Sequence, residues 1–116
     1  MLSRVYVDED GILRNIAPEE ITDEEARNVV EKMKELLEKI PFEKRRILSD
    51  FRKTRRVPFG ARKICLEAKN LVPKGAVLVA ATYQKIGASF VLRAGGASER
   101  IKIFTGEREA LKWLKE

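Results

Sequence analysis

Histidine is absent from the 116 residues, and cysteine occurs once, at Cys65. The first absence removes the Ser-His-Asp and Cys-His nucleophile systems, the His-ligated metals and the commonest general base near neutral pH. The second removes any intrachain disulfide, and together they leave the usual zinc ligand sets unassembled. No apolar run approaches the roughly 18 residues that a membrane-spanning helix needs. The opening Met1-Leu2-Ser3-Arg4-Val5 runs into alternating residues rather than the apolar stretch of a secretory signal, so a cytoplasmic location is expected. Nucleotide signatures are missing too: Gly95-Gly96 lacks the G-x-G-x-x-G spacing, no G-x-x-x-x-G-K-[ST] occurs, and no cofactor is expected. No carboxylate pair or nucleophile–base set can be placed on one site, which argues against an enzyme.

What is present is an ordinary globular composition, 44% hydrophobic and 36% charged, at a length typical of one domain, so residues 1–116 are read as a single unit. A chain of this size buries roughly two-thirds of the surface it exposes when unfolded, and an aliphatic core can hold it. The net charge of +6 is unevenly spread. Residues 1–42 sum to −5, residues 43–74 to +8 and residues 75–116 to +3.

Arg4-Val5-Tyr6-Val7 alternates, Asp8-Glu9-Asp10-Gly11 has turn chemistry and Ile12-Leu13-Arg14-Asn15-Ile16 resumes the apolar pattern, which predicts a β-hairpin. The three acidic residues resemble a cation cluster, but Gly11 comes too early for a calcium loop and a solvated turn fits better. Thr22-Asp23-Glu24-Glu25 forms a capping box. Ala26, Val29, Val30, Met33, Leu36, Leu37 and Ile40 then recur at helical spacing until Pro41. A strand is expected over residues 46–51, a loop to Pro58, and a second helix over residues 60–71 with Ala61, Ile64, Cys65, Ala68, Leu71 and Val72 keeping its apolar period, ending at Pro73-Lys74-Gly75. On that side Cys65 reads as a small buried hydrophobe rather than a reactive thiol. Residues 76–81 lack polar alternation, as a central strand covered on both faces does. A third helix is expected over residues 84–94, a turn at residues 95–98, a last strand over residues 100–104 and a terminal helix capped by Thr105. The order ββαβαβαβα, with about four helices, predicts an α/β fold whose mixed, mostly parallel sheet begins with an antiparallel hairpin.

Lys44-Arg45-Arg46 and Arg52-Lys53-Thr54-Arg55-Arg56 flank one strand, so the two basic clusters project from opposite ends of it. With no continuous basic face and few aromatics for stacking, the pattern argues against nucleic acid and leaves solvated loop charge or an anionic ligand. Open α/β sheets bind ligands beyond the carboxyl ends of their strands, where helix N-termini point. Asp50, Arg52, Thr54, Arg55, Arg56, Phe59 and Gly60 belong to that edge, together with Arg62, Tyr83 and Gln84. Phe59 reads either as an anchor for a partner or as a hydrophobic staple under the second helix.

The runs at residues 47–52, 60–71 and 75–80, and above all the closing Ile101-Lys102-Ile103-Phe104-Thr105-Gly106-Glu107-Arg108-Glu109-Ala110-Leu111-Lys112-Trp113-Leu114, resemble the SpoIIAA-like branch of the STAS superfamily. The resemblance covers nearly the whole chain. It implies a STAS-type α/β fold used chiefly for protein–protein regulation, structurally close to lipid-binding domains. In the anti-sigma antagonists of that superfamily, the loop after the strand matching residues 47–51 carries an Asp-Ser-Ser-Gly type motif whose serine before the glycine is phosphorylated. Here Phe59 precedes Gly60, and Thr54, the only hydroxyl residue of the loop, stands too early, so the phosphoswitch is not expected. The implied function is a non-enzymatic interaction module that docks a protein with an acidic surface. The alternative is a binder of an anionic small molecule or lipid headgroup, with Arg52, Arg55, Arg56 and Arg62 as counter-charges. An exposed hairpin edge or the apolar third helix would suit a homodimer.

Overall fold

A computed structural model describes residues 4–55, 58–80 and 100–116. Its first two strands, β1 (Arg4–Val7) and β2 (Leu13–Ile16), form the expected hairpin, with Val7 opposite Leu13 and Arg4 opposite Ile16. The turn is built by Asp8, whose Oδ1 accepts the N–H groups of Asp10 at 2.9 Å and Ile12 at 3.0 Å. Gly11 closes it at φ +79, a left-handed conformation that glycine adopts without a Cβ penalty. Asp8 thus shapes the turn and Asp10 Oδ2 stands 3.0 Å from Lys115 Nζ, while no group of three acidic or cysteine side chains placed to hold a metal occurs among the described residues.

Helix α1 (Asp23–Leu37) begins where Thr22 Oγ1 accepts the Glu25 N–H at 3.1 Å. Ala26, Val30, Met33 and Leu37 are buried, while Glu24, Arg27, Glu31, Lys32, Glu35 and Glu38 face outward. The helix stops before Pro41, and a 3-10 turn at Phe42–Lys44 leads into β3 (Arg46–Asp50). Helix α2 (Phe59–Leu66) is shorter than the expected 60–71, because Glu67–Leu71 winds as 3-10 helix. Residues three apart eclipse in that geometry, so Ala68 and Leu71 both turn toward the α1 side of the core.

Strand β4 (Lys74–Leu78) starts two residues before the expected 76–81 and ends three before it. Gly75, which reads as helix-terminating chemistry, is instead a buried strand residue; a Cβ there would stand 2.8 Å from Ile101 Cδ1. The last elements are β5 (Ile101–Phe104) and α3 (Glu107–Lys115). Thr105 does not cap α3: Gly106 is the N-cap residue, with no side-chain cap bond, and the Glu109 carboxylate folds back over it. The helix expected over residues 84–94 and the turn at residues 95–98 lie outside the described residues.

The five strands lie in sequence order, β1 antiparallel to β2 and the other neighbours parallel. On one face Leu13 and Ile47 pack with Met33, Leu37 and Val72, beneath α1 and the 3-10 segment. On the other, Ile12, Leu48, Ala76 and Leu78 pack with Ala110 and Leu114 of α3. A third cluster of Ala17, Ile21, Ala26 and Ala61 joins α1 to α2. Each fully buried leucine contributes about 1.5–3 kcal/mol of burial.

Candidate functional site

Because β2 to β5 run parallel, their carboxyl ends share one edge. Ile16, Asp50, Leu78 and Phe104 stand in a single register row there. The chain leaving β3 crosses this edge and is tied down at three places. Asp50 takes the Arg52 guanidinium in a bidentate pair, Nε to Oδ1 at 3.0 Å and Nη2 to Oδ2 at 2.8 Å, and Asp50 Oδ1 also accepts the Arg52 N–H at 3.0 Å. Thr54 is buried and its hydroxyl donates to the Pro18 carbonyl at 2.8 Å. The Arg55 N–H donates to the Glu19 carbonyl at 2.8 Å. Burial opposes the charge of Asp50, but the Arg52 side chain and N–H outweigh it and hold the carboxyl below its ordinary value.

The expected site residues therefore separate. Arg52 is paired with Asp50, Thr54 is a structural tie rather than an accessible acceptor, and Arg55 is exposed on a fixed backbone. Gly60 lies in the first turn of α2, where the Asp23 carboxylate of α1 stands directly over its Cα. An acidic group of the chain itself thus meets the positive end of the α2 dipole. Arg62 is exposed on α2. Phe59 opens α2, but its side chain falls outside the described part, as do Arg56, Tyr83 and Gln84. Cys65 is largely buried, and burial pushes its thiol up to about 11, so it is neutral and unreactive near pH 7.

Several polar residues carry roles that local sequence signals do not announce. Arg14 of β2 joins Asp8 of the hairpin turn to Glu107 at the start of α3, at 2.9 Å to each. Burial disfavours the Asp8 charge, yet the N–H of Ile12, the Arg14 guanidinium and the N–H of Asp10 together keep its carboxyl below the usual range. Asn15, buried in register with Ser49, leaves Oδ1 without a partner among the described residues.

At the opposite, amino edge the other basic cluster caps helix ends. Arg45 Nε donates to Ile40 O at 2.9 Å and its Nη1 to Leu71 O at 3.4 Å. Arg46 Nε donates to Leu114 O at 3.2 Å, and its Nη1 to the carbonyls of Glu43 and Arg45. Lys74 Nζ donates to Trp113 O and stands 4.4 Å from the indole centroid, while Lys102 Nζ is 5.1 Å from the same ring. Arg100 Nη1 reaches Lys69 O at 3.2 Å. Proximity in sequence signals none of these except the Arg46 bonds to Glu43 and Arg45 and the Arg45 bond to Ile40, because the other acceptors come from distant segments.

No helix among the described residues is long and apolar enough to cross a membrane. No curated protein matches the chain. Among solved structures it is similar to an uncharacterized protein of the DUF3478 family with a SpoIIAA-like fold from Shewanella loihica PV-4, with a TM-score of 0.72, 18% identity, and coverage of 97% of this chain and 91% of that one. At that identity the likeness speaks for the fold, which is SpoIIAA-like. The family model of a domain of unknown function, DUF7793, matches residues 6–116, and the chain belongs to that family.

Proposed function

We propose that the protein is a non-enzymatic interaction module that docks an acidic protein segment on the loop after β3, with Arg55 as the contact charge. The observation that carries this reading is the fixed loop: Asp50–Arg52, Thr54–Pro18 and Arg55–Glu19 hold its backbone while the Arg55 side chain stays exposed. A pre-organised cation loses little freedom on binding, and a charge on a rigid support contributes more than one on a floppy loop. The chemistry of the nearby groups points the same way. The Thr54 hydroxyl is spent on a carbonyl, the Asp50 carboxylate on an arginine, and the Cys65 thiol is protonated. An anionic small molecule or lipid headgroup is a weaker fit, since Arg52 is already neutralised and Asp23 stands over the start of α2.

The test compares three baits in lysate: wild type, Arg55→Glu, and Lys44→Glu at the exposed opposite edge. Partners specific to the loop are retained by wild type and Lys44→Glu, fall severalfold on Arg55→Glu, and weaken as salt is raised. Equal losses on both variants would reveal diffuse attraction by net charge, and undiminished capture by Arg55→Glu would remove the loop from the interface. Either outcome defeats the proposal.

A further inference from the structure

The outer edge of β1 carries an inference separate from the loop after β3. No described residue pairs with that edge, and Arg4, Tyr6 and Val7 are exposed on it. The hairpin fixes which backbone groups it offers. The Asp8 N–H donates to the Ile12 carbonyl at 2.9 Å, so Asp8 and Ile12 form a hydrogen-bonded pair. Antiparallel pairs alternate, so Tyr6 with Arg14 and Arg4 with Ile16 are bonded as well. The N–H and C=O of Val5 and Val7 therefore point away from β2, toward a side of the sheet where no described strand lies. A strand edge of this kind, with neither proline nor bulge in it, is a template for another strand.

We propose that this edge pairs with a second copy of the chain, antiparallel, in the register centred on Tyr6. Of the two-fold registers available, this one uses all four outward groups of each strand's Val5 and Val7, with Val5 opposite the partner's Val7 and Val7 opposite the partner's Val5. It also sets charge against charge. Arg4 falls opposite the partner's Asp8, and the exposed Glu9 follows in the same acidic turn. Asp8 has capacity for the contact: Oδ1 accepts two N–H groups and Oδ2 accepts one from Arg14, leaving one of the carboxylate's roughly four acceptor directions unused. Tyr6 meets the partner's Tyr6 as a non-hydrogen-bonded pair, the arrangement in which facing side chains come closest. Among the described residues no helix covers this face of β1, since α3 packs over β3, β4 and β5. The contact joins two five-stranded sheets into one of ten strands. With four-residue strands the area is small, so the dimer is weak and depends on concentration.

Residue 6 faces itself in this register, and the experiment exploits that. Sedimentation equilibrium of the wild type should show dimer growing in toward about 1 mM. Tyr6→Lys and Tyr6→Glu should each raise the dissociation constant about tenfold or more, through loss of the aromatic pair and repulsion of like charges directly opposite. An equal mixture of the two should dimerise again, because lysine then meets glutamate. Tyr6→Cys should give a disulfide-linked dimer under mild oxidant, since such facing Cα atoms lie about 4.5 Å apart, while Val7→Cys should not, because it faces valine. The cysteine pair also keeps the idea testable should a charged variant fold poorly. A wild type that stays monomeric to about 1 mM overturns the proposal. So does a dimer indifferent to both charge variants, a mixture that does not recover pairing, or crosslinking that is equal at positions 6 and 7.

Discussion

The two edges of the parallel sheet put their cations to different uses. At the amino edge Arg45, Arg46, Lys74 and Arg100 donate to backbone carbonyls of Ile40, Leu71, Leu114, Trp113 and Lys69, which belong to the closing turns of the helical segments. At the carboxyl edge Arg52 answers the Asp50 carboxylate, and Arg55 answers none among the described ion pairs. The crossover geometry explains the split. A helix that returns the chain from one parallel strand to the next runs against the strands, so its negative dipole end arrives at their amino edge and its positive end at their carboxyl edge. Cations at the first edge stabilise the fold; a cation at the second is opposed by neighbouring helix starts unless an anion joins it. One basic stretch of sequence, residues 43–74, thus contains a structural half and an available half.

The comparison breaks most visibly at Arg46. Its three bonds to carbonyls make Arg46→Ala cost about 2 kcal/mol, whereas Arg55→Ala stays within about 0.5 kcal/mol, both read from urea midpoints at constant m. Equal costs would erase the distinction between the edges. Thr54→Val should come next, at about 1–2 kcal/mol, because it leaves the buried Pro18 carbonyl unpaired while conserving shape. The same burial predicts that an anti-sigma-type kinase adds no phosphate to residues 52–60; an 80-Da-class mass increase, roughly one phosphoryl group, mapped to Thr54 would contradict it.

Much of this architecture is legible in local pattern. The hairpin, the Thr22 cap, the stripe of α1 and the alternation of strands with helices all depend on neighbours within a few positions, and they stand where periodicity puts them. The misplaced boundaries have tertiary causes. Gly75 belongs to β4 because it pairs with Ile47 of β3 and Ile101 of β5, the end of α2 tightens to 3-10 geometry with Ala68 and Leu71 against the α1 side of the core, and Gly106 rather than Thr105 begins α3 with Glu109 folded over it. The candidate site was legible as a place, the carboxyl edge, but not as a set of free charges. Nothing near Arg52 or Thr54 in sequence indicates that Pro18 will take the Thr54 hydroxyl, while Arg52 and its Asp50 are two residues apart and a pair between them could have been anticipated.

The smallest expected effect concerns acid. Asp50 ionises more readily in the folded chain than in the unfolded one, so its contribution is complete above the ordinary carboxylate pKa and disappears as pH falls through its lowered folded value. Wild type should therefore exceed Asp50→Asn in stability at pH 7 by under about 1 kcal/mol, the pair being partly exposed, and the gap should narrow below about pH 4. A gap of constant size between pH 7 and pH 3 would show that the Arg52 pairing does not distinguish the two states.

Trp113 gives the molecule a single spectroscopic window. It is the only tryptophan in the sequence, and it rests against Phe104 at 5.8 Å between centroids with the ammonium groups of Lys74 and Lys102 over its ring. Intrinsic emission excited at the indole band therefore reports the sheet face under α3, from Lys74 at the amino edge to Phe104. The two ammonium groups also make that window selective: an anionic collisional quencher is drawn toward the ring and a cationic one is turned away. Iodide and caesium thus become a pair of probes for whether the cations still sit on the indole, read without touching a single residue.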